Sequence, residues 1–533
     1  MRTLHFYSYD MRDPVFLLAG WALSVQIITL ENIYGLAPDA LSVQETESGG
    51  VLECGALRFA GGQERAEGRV RVTAKRETER LTFRVNAAMR QKIKCIKLLL
   101  RRLPDGCYYD LSGKPEPFPR EGRVCKYPLW MRLPLLGMRF SGASGVWGVS
   151  ARRERVGTYR FALYSEEQLW SGPDGFVLEL IHEQDADRLD CRMQSCDWVL
   201  RPAADWDGCV EEYLRFAERR LGLTPWEQRT DVPAWLRDIR LCVTLHGMHW
   251  SGYRFLCYRE MQDILEYVAG QILPCRVLVF LPGWEGRYYW QYGDYRPEPR
   301  LGGEAAFAEL FRFARERGFH LMPMFGGNCC NMTFAECARF GADAYLKSPL
   351  RNRYHGNGPD WNQDRGQDTG WQAWLNPGHP AWRRELCRQI LALKETYGFD
   401  AVYLDTIYAW ENDPDHSVAD GIRAVRDRLR EAGLMVAAED WFDALLGQFP
   451  LFLNDWDPEA VALPKWFGRY ARYIAFIGHA EPSRGSGGVQ HGRCFPYRQP
   501  LDDAAYLPTL SFVNGTLEQA EAEICRVIAS AAR

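Results

Sequence analysis

The chain has 533 residues, 47% of them hydrophobic and 25% charged, and a formal net charge of −4. That length is too great for one ordinary domain, and the composition is that of a globular protein. The charge balance excludes a globally basic nucleic-acid surface, and 16 Cys without a CxxC pair exclude zinc-finger spacing.

The stretch PVFLLAGWALSVQIITL (14–30) is the one membrane suspect. It is short for a span, contains Gln26 and follows Arg12 and Asp13, so it reads as strands rather than as an anchor or a signal peptide. Alternation continues downstream. In LTFRV (81–85), Leu81, Phe83 and Val85 share one face, opposite Thr82 and Arg84. GVWGV (145–149) and GFVLELI (175–181) are similar short runs bounded by turn residues, and together they predict a β-sandwich. DWDGCVEEYLRFAERRLGL (205–223) predicts an amphipathic helix with Val210, Tyr213, Leu214, Phe216 and Ala217 near one face. A Pro-containing linker (224–235) follows, which puts a domain boundary near 225: residues 1–225 and 226–533.

Beyond it the period changes. Apolar runs recur at 239–245, 276–281, 319–325, 400–405, 434–440, 450–454, 473–479 and 506–514, with helical patterns such as 304–318, 379–398 and 418–433 between them. Gly318, Gly398 and Gly433 fall just past those helices, where a left-handed C-cap favours Gly. Eight strands alternating with helices predict a (β/α)8 TIM barrel, closed by a last helix over 516–532. The intervals 284–296, 326–375 and 479–500 are candidates for shaping a binding pocket.

The strand ends carry polar groups: His246, then Trp284 and Glu285, Asn328, Asp405, Glu439 and Asp440, Asn454 and Asp455, His479 and Asn514. Barrel enzymes collect their chemistry on that rim. GFDAVYLDT (398–406) is the sharpest case, an apolar strand that ends in a carboxylate. Asp405 is read as catalytic, against the plain alternative that it and Thr406 cap a following helix. Two carboxylates at neighbouring strand ends are the equipment of a glycosidase. No GxSxG elbow and no P-loop competes.

FLPGWEG (280–286), LNPGHPAWR (375–383) and GFDAVYLDT followed by an AAED strand together resemble barrel glycoside hydrolases of the endo-α-N-acetylgalactosaminidase kind and a related glycosidase-like family of unknown function. The resemblance implies a retaining enzyme for α-linked carbohydrate, with Asp405 as nucleophile and Glu439 as acid/base. Asp440 and Asp455 are rivals for the acid/base role. Trp284, Tyr408 and Trp441 are candidates for stacking on a sugar, and Glu285, His246, Asn328, His355, Asp364, Asp455 and His479 for other substrate contacts. No cofactor or metal, no nucleic acid and no membrane is implied, and the cysteines read as mostly buried free thiols of a cytoplasmic protein. Two other classes stay open. One is a non-catalytic sugar-binding protein on an enzyme scaffold. The other is a metal-dependent barrel hydrolase, for which His246 and His249 show HxxH rather than HxH spacing.

Overall fold

The computed structural model describes residues 14–59, 64–128, 131–168, 175–249, 252–287, 289–353, 372–453, 463–475, 479–480, 492–493 and 501–533. The chain divides into two compact units, Met1–Gly222 and Leu223–Arg533.

Among the described residues the first unit holds 17 strands joined by hydrogen-bonded ladders. The membrane suspect is a hairpin, Phe16–Leu18 paired antiparallel with Trp21–Thr29. Its turn is Ala19–Gly20, where both residues have positive φ, as a tight hairpin turn requires. The strand Arg80–Met89 buries Leu81, Phe83 and Val85 and turns Arg84 outward, so the period-2 pattern is realised residue by residue. The helix Trp206–Arg220 buries Val210, Tyr213, Leu214 and Ala217 as expected. It differs at Phe216, which is half-buried, and at Glu212, which is buried and ion-paired with the buried Arg152. An ion pair satisfies a carboxylate that periodicity alone would assign to solvent.

The second unit contains a closed barrel of eight parallel strands. They are β1 (Leu241–Leu245), β2 (Val277–Leu281), β3 (His320–Gly326), β4 (Ala401–Asp405), β5 (Met435–Glu439), β6 (Leu451–Leu453), β7 (Arg472–Ala475) and β8 (Tyr506–Phe512). Six fall within a predicted apolar run; β3 ends one residue beyond its run, at Gly326, and β7 begins one residue before its run, at Arg472. Strands β1 to β6 and β8 are buried along nearly their whole length, the signature of a parallel sheet covered on both faces. The helices Gly303–Arg317, Pro380–Tyr397 and Val418–Glu431 lie where the sequence puts them. Only the four-residue helix Asp443–Leu446 separates β5 from β6, and among the described residues between β6 and β7 Phe467–Arg469 forms a 3-10 turn. No helix among the described residues is long and apolar enough to cross a membrane.

Thirteen described cysteines are free, as expected for most of them, but only seven of these are buried, and Cys330 and Cys337 are joined in a disulfide.

Candidate active site

Phe280 on β2 and Tyr403 on β4, strands that are not neighbours, meet with ring centroids 4.9 Å apart. Tyr403 therefore points into the barrel, and the period of two puts Asp405 on the same inward row. Asp405 closes β4 and is 7% exposed. No helix begins after it; the next starts at Val418. The capping alternative therefore fails. Instead the buried phenol of Tyr292 donates to Asp405 Oδ2 at 2.5 Å.

Glu439 closes the neighbouring strand β5 and is 6% exposed. Its Oε2 accepts the backbone N–H of Thr406 at 2.6 Å. The two carboxylates are thus linked through the one residue that follows Asp405. Thr406 has φ +64 and Asp440, the residue after Glu439, has φ +55. A β-branched residue in the left-handed region is an outlier that costs about 1–3 kcal/mol. Three bonds offset it: the N–H on Glu439, the Thr406 hydroxyl on the Asp405 carbonyl at 2.6 Å, and the Asn328 N–H on that hydroxyl at 3.1 Å. Both strands therefore turn sharply straight after their carboxylate. Asp440 Oδ1 accepts the N–H of Trp441 at 2.7 Å, a local chain-turning bond.

Glu285, in the turn after β2, is 2% exposed, and neither of its oxygens has a hydrogen-bond partner among the described residues. Burial, then the negative charges of Asp405 and Glu298, push its carboxyl well above the usual range, which favours the protonated form. An unfolded glutamate ionises near pH ~4.3. Above that pH the folded chain holds a proton that the unfolded chain releases, so this residue's contribution to stability falls as pH rises from there toward its folded value. Glu285→Gln removes that slope. In melts at pH 5 to 8 the variant should gain on the wild type by up to about 1.4 kcal/mol per pH unit; parallel curves would show an ordinary carboxyl.

The other expected residues separate. Trp284 is core rather than a sugar platform. It is 1% exposed, its indole N–H donates to the Met324 carbonyl at 2.9 Å, and its two stacked neighbours are Phe307 at 5.0 Å and Tyr295 at 6.5 Å. A ring so little exposed offers no open face to a ligand. Asn328 is buried and spends its amide N–H on the Ala409 carbonyl at 3.2 Å, tying the end of β3 to the loop after β4. His246 is buried against Phe255. Trp441 is buried edge-on between Trp466 and Phe467. Tyr408, half-buried, follows Asp405 by three residues. His355, Asp364, Asn454 and Asp455 lie outside the described residues, and of His479 only the backbone is described, in the short strand His479–Ala480.

Sequence reasoning missed Tyr292 and the role of Thr406. The signal for Tyr292 was the aromatic density of RYYWQYGDY (287–295) after β2. Its partner Asp405 is 113 residues away. A groove of about 1260 Å³ lies elsewhere, on the outer helices, lined by Arg339, Arg384, Arg388 and Arg428 among others. No strand end contributes to it, and Arg339 and Arg388 are committed to Glu385.

No family model and no curated protein sequence matches the chain. Solved structures do match it. The α-N-acetylgalactosaminidase NagBb from Bifidobacterium bifidum, as its GalNAc complex, superposes with a TM-score of 0.65 at 12% identity over 99% of this chain and 91% of that one. The GH36 α-galactosidase AgaA from Geobacillus stearothermophilus gives 0.53 at 12% identity over 95% and 75%. The galactosidase domain of the α-galactosidase–sucrose kinase AgaSK gives 0.52 at 13% over 97% and 73%. The chain shares with these structures a fold in which a large antiparallel β unit precedes a closed barrel of eight parallel strands.

Proposed function

We propose that the chain is a retaining glycoside hydrolase for an α-linked sugar, with Asp405 as nucleophile and Glu439 as acid/base. The observation that carries this reading is the pairing of two buried carboxylates at the ends of adjacent barrel strands, linked through the Thr406 N–H. In the first step an Asp405 oxygen bonds to the anomeric carbon as the bond to the leaving oxygen breaks, and Glu439 gives that oxygen its proton. In the second, water adds to the anomeric carbon, its proton passes to Glu439, and the bond to Asp405 breaks.

The structures of like fold are named for α-N-acetylgalactosamine and α-galactose, which favours a galactose-type ring. His246, Glu285, Tyr408 and Trp441, with His355, Asp364 and His479 on the long intervals and Asp455 after β6, are the proposed sugar contacts. The first unit is read as a β-sandwich that accompanies the barrel.

A panel of 4-nitrophenyl α- and β-glycosides, followed by proton NMR of the first sugar released, tests this. Release from an α-galactoside or α-N-acetylgalactosaminide with the α-anomer appearing first is expected. Cleavage of β-glycosides alone, or the β-anomer first from an α-glycoside, would overturn it.

A further inference from the structure

Tyr292 reaches Asp405 because its surroundings leave it little freedom. Its ring lies on the bare backbone of Gly326, where any Cβ would collide with it, and Gly326 is the β3 residue in register with Asp405. Its carbonyl accepts the Asn331 N–H at 2.8 Å, and the Asn331 side chain donates to the Trp290 carbonyl at 2.8 Å. The next residue, Gly293, has φ +99, and a Cβ there would collide with both sulfurs of the Cys330–Cys337 bridge. The backbone beside Tyr292 is therefore seated directly on the disulfide. The bridge closes a loop from Cys330 to Cys337 that begins in the strand Cys329–Asn331, the same strand that holds the Tyr292 carbonyl.

We propose that Tyr292 is a positioning residue for Asp405 and that the Cys330–Cys337 bridge is the clamp that holds it there, so that breaking the bridge loosens the reacting carboxylate. The inference rests on the reading of Asp405 as nucleophile. A phenol O–H on one carboxylate oxygen stabilises the ionised form and fixes the orientation of the group. Tyr292 is wholly buried, and burial followed by the charge of Asp405 pushes its phenol well above 10, so it remains a donor across the working pH range. Opening the clamp takes an external dithiol: its two thiols become a disulfide, and their two electrons and two protons convert the Cys330–Cys337 S–S bond into two S–H groups. The freed sulfurs must move apart to van der Waals separation, and Gly293 lies against both.

The test compares oxidised full-length protein, the same protein after dithiothreitol, Tyr292→Phe, and the double variant Cys330→Ser/Cys337→Ser. Peptide mass verifies the bridge. Two readouts are taken against pH: kcat/KM on an aryl glycoside, and the rate of carbodiimide labelling of Asp405. Tyr292→Phe should raise the acid limb of both by about 1 pH unit. Reduced wild type and the cysteine variant should move the same way, and neither variant should respond further to dithiothreitol. Reduced wild type with an unchanged limb would overturn the clamp, and Tyr292→Phe with an unchanged limb would overturn the positioning role. If the labelling limb moves and no protein hydrolyses any glycoside, the inference stands and the glycosidase reading falls.

Discussion

Asp405→Asn should lose at least about 10⁴-fold in kcat/KM on natural and on dinitrophenyl glycosides alike, more than about 5 kcal/mol of transition-state stabilisation. The reason is chemical. An amide oxygen is a far poorer nucleophile than a carboxylate, and no leaving group is good enough to dispense with the attack. The substitution is nearly isosteric and keeps an acceptor for the Tyr292 hydroxyl, which now reaches Asp405 at 2.5 Å. The fold should therefore survive, with a melting temperature within a few degrees of wild type, so that lost activity reads as lost chemistry. A variant that still cleaves the dinitrophenyl substrate at more than about a tenth of the wild-type rate would remove Asp405 from the reaction.

Glu439→Gln should separate substrates by leaving group. Proton donation is worth about 10²–10⁴-fold where the leaving oxygen is basic and little where it is dinitrophenolate. Hydrolysis of unactivated glycosides should fall by that factor, while cleavage of the dinitrophenyl bond is spared and the glycosyl-enzyme accumulates. Azide, which needs no base, should then restore turnover and leave as the glycosyl azide. Oε2 accepts the Thr406 N–H, so on the acid/base assignment the proton given to the leaving oxygen should come from Oε1. The glutamine can still accept that N–H through its amide oxygen, so the strained turn at Thr406 should be preserved. If Glu439→Gln behaves as wild type on an unactivated glycoside, and Asp455→Asn instead shows the leaving-group pattern, the acid/base role belongs to Asp455.

The two effects also differ from that of Tyr292→Phe. Loss of Asp405 should remove the reaction, loss of Glu439 should make it depend on the leaving group, and loss of Tyr292 should displace its acid limb. A single set of pH profiles on two substrates distinguishes all three.

The eight barrel strands were legible in the sequence because each is a short apolar run whose burial on both faces leaves no other pattern. The left-handed caps at Gly318 and Gly433 were legible because their backbone conformation suits glycine. Asp405 and Glu439 stood out for the same local reason: a carboxylate at the end of an apolar strand needs an explanation wherever that strand lies. What such reasoning could not reach is any pairing between distant segments. Trp284 and Glu285 are adjacent and looked alike as strand-end residues, yet Phe307 and Tyr295 cover the indole while Glu285 is left buried without a hydrogen-bond partner among the described residues. Periodicity reports which way a side chain points and not what it meets, so only packing could separate them.

The same limit hid the contacts that organise the candidate site. Tyr292 finds Asp405 across 113 residues, and Thr406 finds Glu439 across 33. Thr406 holds a backbone conformation that its own side chain disfavours, and bonds from other strands maintain it. Cys330 and Cys337, spaced like any two free thiols, are brought together by the turn between them. Apolar periodicity and strand-end chemistry, both local properties, determined the barrel and nominated its carboxylates. Tertiary structure decided which groups hold them, because a contact between strands exists only once the barrel has closed.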